Sequence, residues 1–132
     1  MSTSPNFTAT PKVGAARAIT TNTARDGSGT LVTVFTAGTF GSRIDWIEIT
    51  AIGTTTANVV RLFLNDGTNT RLLDEILVTA ITPSTTQEVF RQVITYNTPL
   101  ILPAGWSLRA SCNTGGTPPT DNFNIVAFGG DF

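Results

Sequence analysis

The sequence predicts an all-β fold: a single sandwich or barrel of about eight short strands. Three observations predict it. The first is composition: 25 of the 132 residues are Thr, whose branched Cβ sits well on a pleated surface. The second is rhythm. Short runs of alternating side chains recur at a spacing of roughly 8–15 residues, separated by Gly, Pro, Asn and Asp. The third is the lack of any sustained helical period.

The elements follow in order. Residues 1–16 are small and polar, broken by Pro5 and Pro11, and read as an extended N-terminal arm ahead of one domain, 17–132. Phe7 and Val13 are its apolar anchors. Ala18-Ile19-Thr20-Thr21 is a β-type run before the turn Arg25-Asp26-Gly27-Ser28-Gly29. Thr30 to Thr36 alternates. Arg43 to Ile52 is the next strand, and its mixed second face (Ile44, Trp46, Glu48, Thr50, Ile52) implies a bulge, or one end of the strand lying under a loop. Val59 to Leu64 carries Val60, Leu62 and Leu64 on one face, with Arg61 opposite. Asp66-Gly67 predicts a type I′ hairpin turn into a partner strand, Thr70 to Val78. Strands are also expected at Glu88 to Tyr96, Leu100 to Leu102, Trp106 to Cys112 and Phe123 to Phe128. A Gly- and Pro-rich loop fills 113–122.

Charge and rare residues exclude much chemistry. Lys and Arg total 8 against 9 Asp and Glu, so the formal charge is −1. Charged residues are 13%, about half the usual share. There is no His, so no Ser-His-Asp or Cys-His nucleophile and no His-ligated metal are expected. One Cys makes no internal disulfide. Near-neutral charge argues against nucleic acid or an anionic membrane as partner. No apolar run approaches the ~20 residues that span a bilayer. The first residues lack a cationic and apolar signal pattern, so synthesis in a cytosol is the expectation.

Few constellations invite a catalytic reading. Asp74-Glu75 is the one adjacent carboxylate pair, but strand neighbours point to opposite faces. Asn65 to Asn69 lacks the acidic ligand spacing of a calcium loop. Cys112 has no base to activate it and reads as a buried filler. Trp46 and Trp106 lie in apolar-patterned strands, which favours core or subunit interface over sugar stacking. All cations except Lys12 are Arg, spread singly along the chain. Arg is enriched and Lys depleted at interfaces. A surface poor in charge therefore suits a subunit covered by neighbours. Self-association would hide an apolar or Thr-rich face.

Three segments carry a resemblance. The first runs from Asn22 through Arg25-Asp26-Gly27-Ser28-Gly29 to Gly38, and into Gly41-Ser42-Arg43-Ile44-Asp45. The second spans Gly53-Thr54-Thr55-Thr56-Ala57 and Val60 to Gly67. The third is Leu102-Pro103-Ala104-Gly105-Trp106 to Ser111, with the closing Asn124 to Phe132. Together they resemble small virion proteins of tailed bacteriophages and prophages, of the capsid cement or decoration kind. The resemblance implies a jelly-roll-like antiparallel β-sandwich on the outside of the head shell, assembled as a trimer or dimer. It implies no catalytic residue and no cofactor.

The expected function is therefore structural rather than enzymatic. A cement protein made in the host bacterial cytoplasm would bind the capsid exterior and clamp major capsid protein subunits without covalent chemistry. The alternative is a receptor- or glycan-binding module of a tail fibre or spike, using Trp46, Trp106 or the 113–122 loop. Residues expected at a capsid or subunit interface are Phe7, Lys12, Val13, Arg25, Trp46 and Trp106.

Overall fold

A computed structural model describes residues 8–132. It contains nine strands: β1 (Thr10–Ala18), β2 (Val32–Thr36), β3 (Ser42–Ala51), β4 (Asn58–Asn65), β5 (Thr70–Val78), β6 (Arg91–Ile94), β7 (Leu100–Leu102), β8 (Ser107–Cys112) and β9 (Phe123–Asp131). They form two antiparallel sheets. The first has the order β1-β9-β3-β6, with β7 also pairing β3; the second is β2-β8-β4-β5. The pairs β4–β5, β3–β6, β2–β8 and β1–β9 are nested around the first hairpin. One long folded ribbon thus wraps into two sheets, which is jelly-roll connectivity.

The core lies between the sheets. β9 shows why: Phe123, Ile125 and Ala127 are buried, alternating with half-buried Asn124, Val126 and Phe128. Ile47, Ile49 and Ala51 of β3 face the same layer, opposite Val60 and Leu62 of β4 and Leu108 and Ala110 of β8. Each large side chain buried here contributes roughly 1.5–3 kcal/mol. The bulge expected in the third run is present. The β3–β9 register shifts between Ile44 and Trp46, which turns both Ile44 and Ile47 inward and leaves Trp46 outside.

Several local expectations change. The arm assigned to residues 1–16 is, from Thr10, strand β1 paired along its length with β9. Its small residues serve close approach: a Cβ on Gly14 would run into the Val34 carbonyl oxygen. The Ala18–Thr21 run is mostly not strand, and β6 is four residues rather than nine. The β4–β5 turn is not type I′, because Gly67 has positive φ but Asp66 does not. Instead the Asp66 carboxylate accepts hydrogen bonds from the backbone N–H groups of Thr68 and Asn69. These bonds, with Arg71, pull the Asp66 carboxyl down to about 2.

Candidate interaction surface

The two sheets present very different outer faces. On the β2-β8-β4-β5 sheet, Arg61, Phe63, Ser107 and Ser111 point away from the core yet are buried. The segment between β1 and β2 crosses this face over Arg61. Thr21 bridges to Cys112, and the Asn22 N–H donates to the Cys112 carbonyl at 3.0 Å. The Asn22 amide donates to the Ser28 and Thr30 carbonyls and folds the segment on itself. Gly27 then abuts Thr70 at the far strand.

Arg61 is the pivot of this cover. Only 1% of it is exposed. Its Nη1 donates to the Asn22 carbonyl at 3.1 Å, its Nη2 to Asn113 Oδ1 at 3.0 Å and its Nε to Glu75 Oε2 at 3.3 Å. Arg25 reaches the same carboxylate from the covering segment, 2.8 Å from Glu75 Oε1. The hydrogen bond from Arg25, then its charge and that of Arg61, hold the Glu75 carboxyl below its ordinary value. A buried guanidinium is tolerated because its donors are satisfied in three directions.

The outer face of the β1-β9-β3-β6 sheet has no such cover among the described residues. Register places its side chains in rows across the strands. One row is Val13–Phe128–Trp46. The next is Ala15–Val126–Glu48–Val93. On the other side of the first row, Pro11, Gly130, Arg43 and Ile101 line up. Val13 is 58% exposed, Ile101 51%, Val93 40% and Trp46 39%. The Trp46 and Phe128 rings stack, 4.8 Å between centroids at 17°. Most charges on this face are matched internally: Arg91 donates to Glu48 at 2.9 Å, whereas Arg17, at one margin, donates to the Asn124 side chain. Arg43 Nε lies 2.9 Å from Asp45 Oδ1, an ion pair without hydrogen-bond geometry.

The six residues expected at an interface separate. Val13 and Trp46 meet through Phe128 on the open face. Lys12 faces the other way: it closes the sandwich edge, with its ammonium 4.8 Å from the centroid of the Phe35 ring, bonded to the Thr36 carbonyl and 3.2 Å from Asp131. Arg25 ties down the covering segment, and Trp106 is half-buried against the core. Phe7 lies outside the described residues. Phe128, Val126, Val93 and Ile101 were not singled out by sequence. Their signal was nonetheless there: in Phe123 to Phe128, both alternating faces carry apolar residues, so both faces of that strand are suited to contact.

The ionisable side chains are largely engaged with one another. Asp131 accepts from the Ser42 hydroxyl and from Lys12, which hold its carboxyl below the usual range. Asp74 and Glu75 part company: Glu75 pairs with the arginines, whereas Asp74 accepts from the Tyr96 hydroxyl at 3.3 Å. A shallow groove of about 450 Å³ runs beside Asp74 between the open edges of β5 and β6. Burial pushes the Cys112 thiol up to about 11. Among the described residues no group of three His, Cys, Asp or Glu could hold a metal, and no helix is long and apolar enough to cross a membrane.

A scan against protein-family models gives no match, and a search of curated protein sequences gives none.

Proposed function

We propose that the chain is a structural, non-enzymatic subunit of a tailed-phage virion: a cement protein that binds the outside of the head shell and clamps major capsid subunits. The observation that supports this reading most is the open, largely apolar face on a sandwich most of whose charged groups pair among themselves. Such a molecule offers contact area rather than chemistry. The resemblance carried by the three sequence segments supplies the capsid context.

The mechanism is multivalent clamping. Each copy buries modest area on the shell, and joining copies raises the effective concentration of every further contact. Binding that favours the expanded lattice stabilises that lattice by mass action. The glycan-binding alternative draws less support. Trp106 packs against the core. The 113–122 loop is fastened, since the Asn58 amide donates to the Thr114 carbonyl and the Asn122 amide to the Gly116 and Thr120 carbonyls.

The test mixes purified protein with expanded heads that lack it, and separately with tails. Saturable co-sedimentation with heads and a raised shell disruption temperature are expected. Binding to tails or to arrayed glycans, with none to heads, overturns the proposal. Truncation can then ask whether the terminus reaches the shell. The cut belongs after residue 7, because deleting residues 1–14 would remove half of β1.

A further inference from the structure

We infer that residues 22–31 form a strap that opens from the β2-β8-β4-β5 sheet without unfolding the sandwich, and that the Glu75 carboxylate is the latch that holds it shut. The inference stands on the sandwich alone and is independent of the role proposed above.

The strap is held by polar contacts at a few points rather than by packing. Between β1 and β2, Asn22 is the one buried residue, and only Ala24, Gly27 and Leu31 are half-buried. Segments with few buried apolar contacts open at a lower free energy than the whole domain. Much of the bonding is internal to the strap and can travel with it. The Asn22 side chain binds the Ser28 and Thr30 carbonyls and the Ala24 N–H. The links to the sandwich are fewer. The Asn22 N–H meets the Cys112 carbonyl, the Asn22 carbonyl meets Arg61, Arg25 meets Glu75, and Gly27 abuts Thr70. The ends are fixed. The Gly115 N–H donates to the Thr21 hydroxyl, and a Cβ on Gly115 would run into the Ile19 carbonyl oxygen, so residues 19–21 stay packed. At the other end Val32 enters β2.

The latch is one carboxylate shared by two arginines. Arg25 reaches Glu75 from the strap, and Arg61 reaches it from β4, at 2.8 and 3.3 Å. Asp74, next along β5, turns to the Tyr96 hydroxyl instead. Glu75 is thus the one carboxylate paired with Arg61 among the described residues. With the strap closed, Arg61 is shut from water and Glu75 balances its charge. Without that charge, a buried guanidinium faces only neutral acceptors, and hydration relieves the cost. Opening the strap admits the water. It also wets the Ser111 hydroxyl, opposite Arg61 in register, which is buried with no hydrogen-bond partner in the closed form. An orphaned polar group of this kind is a strain reservoir that favours the open form.

Native-state proteolysis and hydrogen exchange of the full chain test the inference. Arg25 is the one Lys or Arg that lies outside a strand. Trypsin needs an opened stretch around the bond it cuts, so cleavage after Arg25 reports the open strap. The first cut is expected there, giving residues 1–25 and 26–132, which stay together because β1 pairs with β9. The Asn22 amide should exchange at least about 100-fold faster than that of Ile125 in β9, at a rate that does not rise in low urea. Glu75→Gln keeps the shape of the side chain and removes its charge. It should speed the cut about 10-fold, whereas Asp74→Asn should leave the rate unchanged. Asn22 exchange that rises with urea as Ile125 does, or cuts at all the cationic residues together, would show that the strap opens only with the whole sandwich and would overturn the inference. A cut indifferent to Glu75→Gln, or equally hastened by Asp74→Asn, would overturn the latch. A Glu75→Gln chain that fails to fold would overturn it too, because the charge would then hold more than the strap.

Discussion

The outer face of the β2-β8-β4-β5 sheet and that of the β1-β9-β3-β6 sheet begin alike, as pleated surfaces left over when the inner faces pack together. They end differently. The first is crossed by the chain's own residues 19–31, which bury Arg61 to 1% exposure and leave Leu72 and Leu77 of β5 exposed. The second lacks a cover among the described residues and carries a stacked Trp–Phe pair amid aliphatic side chains. Polar groups can be sealed under a loop only when the loop brings carbonyls and amides to meet them. An apolar face needs no such partners and can wait for a second molecule.

The largest effect is expected from removing the pivot of the covered face. Arg61→Ala would leave the Asn22 carbonyl and Asn113 Oδ1 without their donor, beside a cavity. A loss of about 3–5 kcal/mol is expected in urea unfolding; a loss below about 1 kcal/mol would mean that the cover does not depend on Arg61. On the open face, Trp46→Ala should cost less, about 1–2 kcal/mol, through the lost stack and partial burial. An equal or larger loss of stability than at Arg61 would contradict the distinction between the two faces.

Acid should act through the ion pairs. Glu75, Asp66 and Asp131 all have folded-state values below their ordinary ones. Groups of that kind contribute stability that is fully present above the unfolded value near 4. It is lost as pH falls through the lowered folded values. The urea midpoint should therefore hold from pH 7 to about 5 and fall steadily toward pH 2. Asp66→Asn should flatten the lowest part of that fall, where the Asp66 carboxyl at about 2 titrates. A midpoint independent of pH would contradict the assignment. The smallest effect belongs to Arg25→Ala. Its side chain is largely exposed, so the measured change should be slight and should vanish at high salt.

Much of the fold was legible because the inner faces alternate so plainly in β3, β4, β8 and β9. The mixed second face of β3 pointed to a bulge or to an end under a loop, and the bulge is what forms. Strand β1 was not legible. Pro11, Gly14 and three alanines have little intrinsic preference for a strand, and what makes them one is pairing with β9 and the close approach of Gly14 to β2. The closed face was hidden for a similar reason. Arg25 to Gly29 reads as a turn, and nothing local says that it lies across Arg61. Val13 and Trp46, both picked out in the sequence, fall on the open face, whereas Lys12 points in toward Phe35 between outward-pointing Pro11 and Val13.

The central claim is that this sandwich works by covering its open face and gripping a shell. Cryo-electron microscopy of the intact particle tests both parts at once. The account predicts sandwiches on the outside of the head, with the Val13–Phe128–Trp46 row buried in a contact. Sandwiches on the tail, or on the head with that row facing solvent, would contradict it.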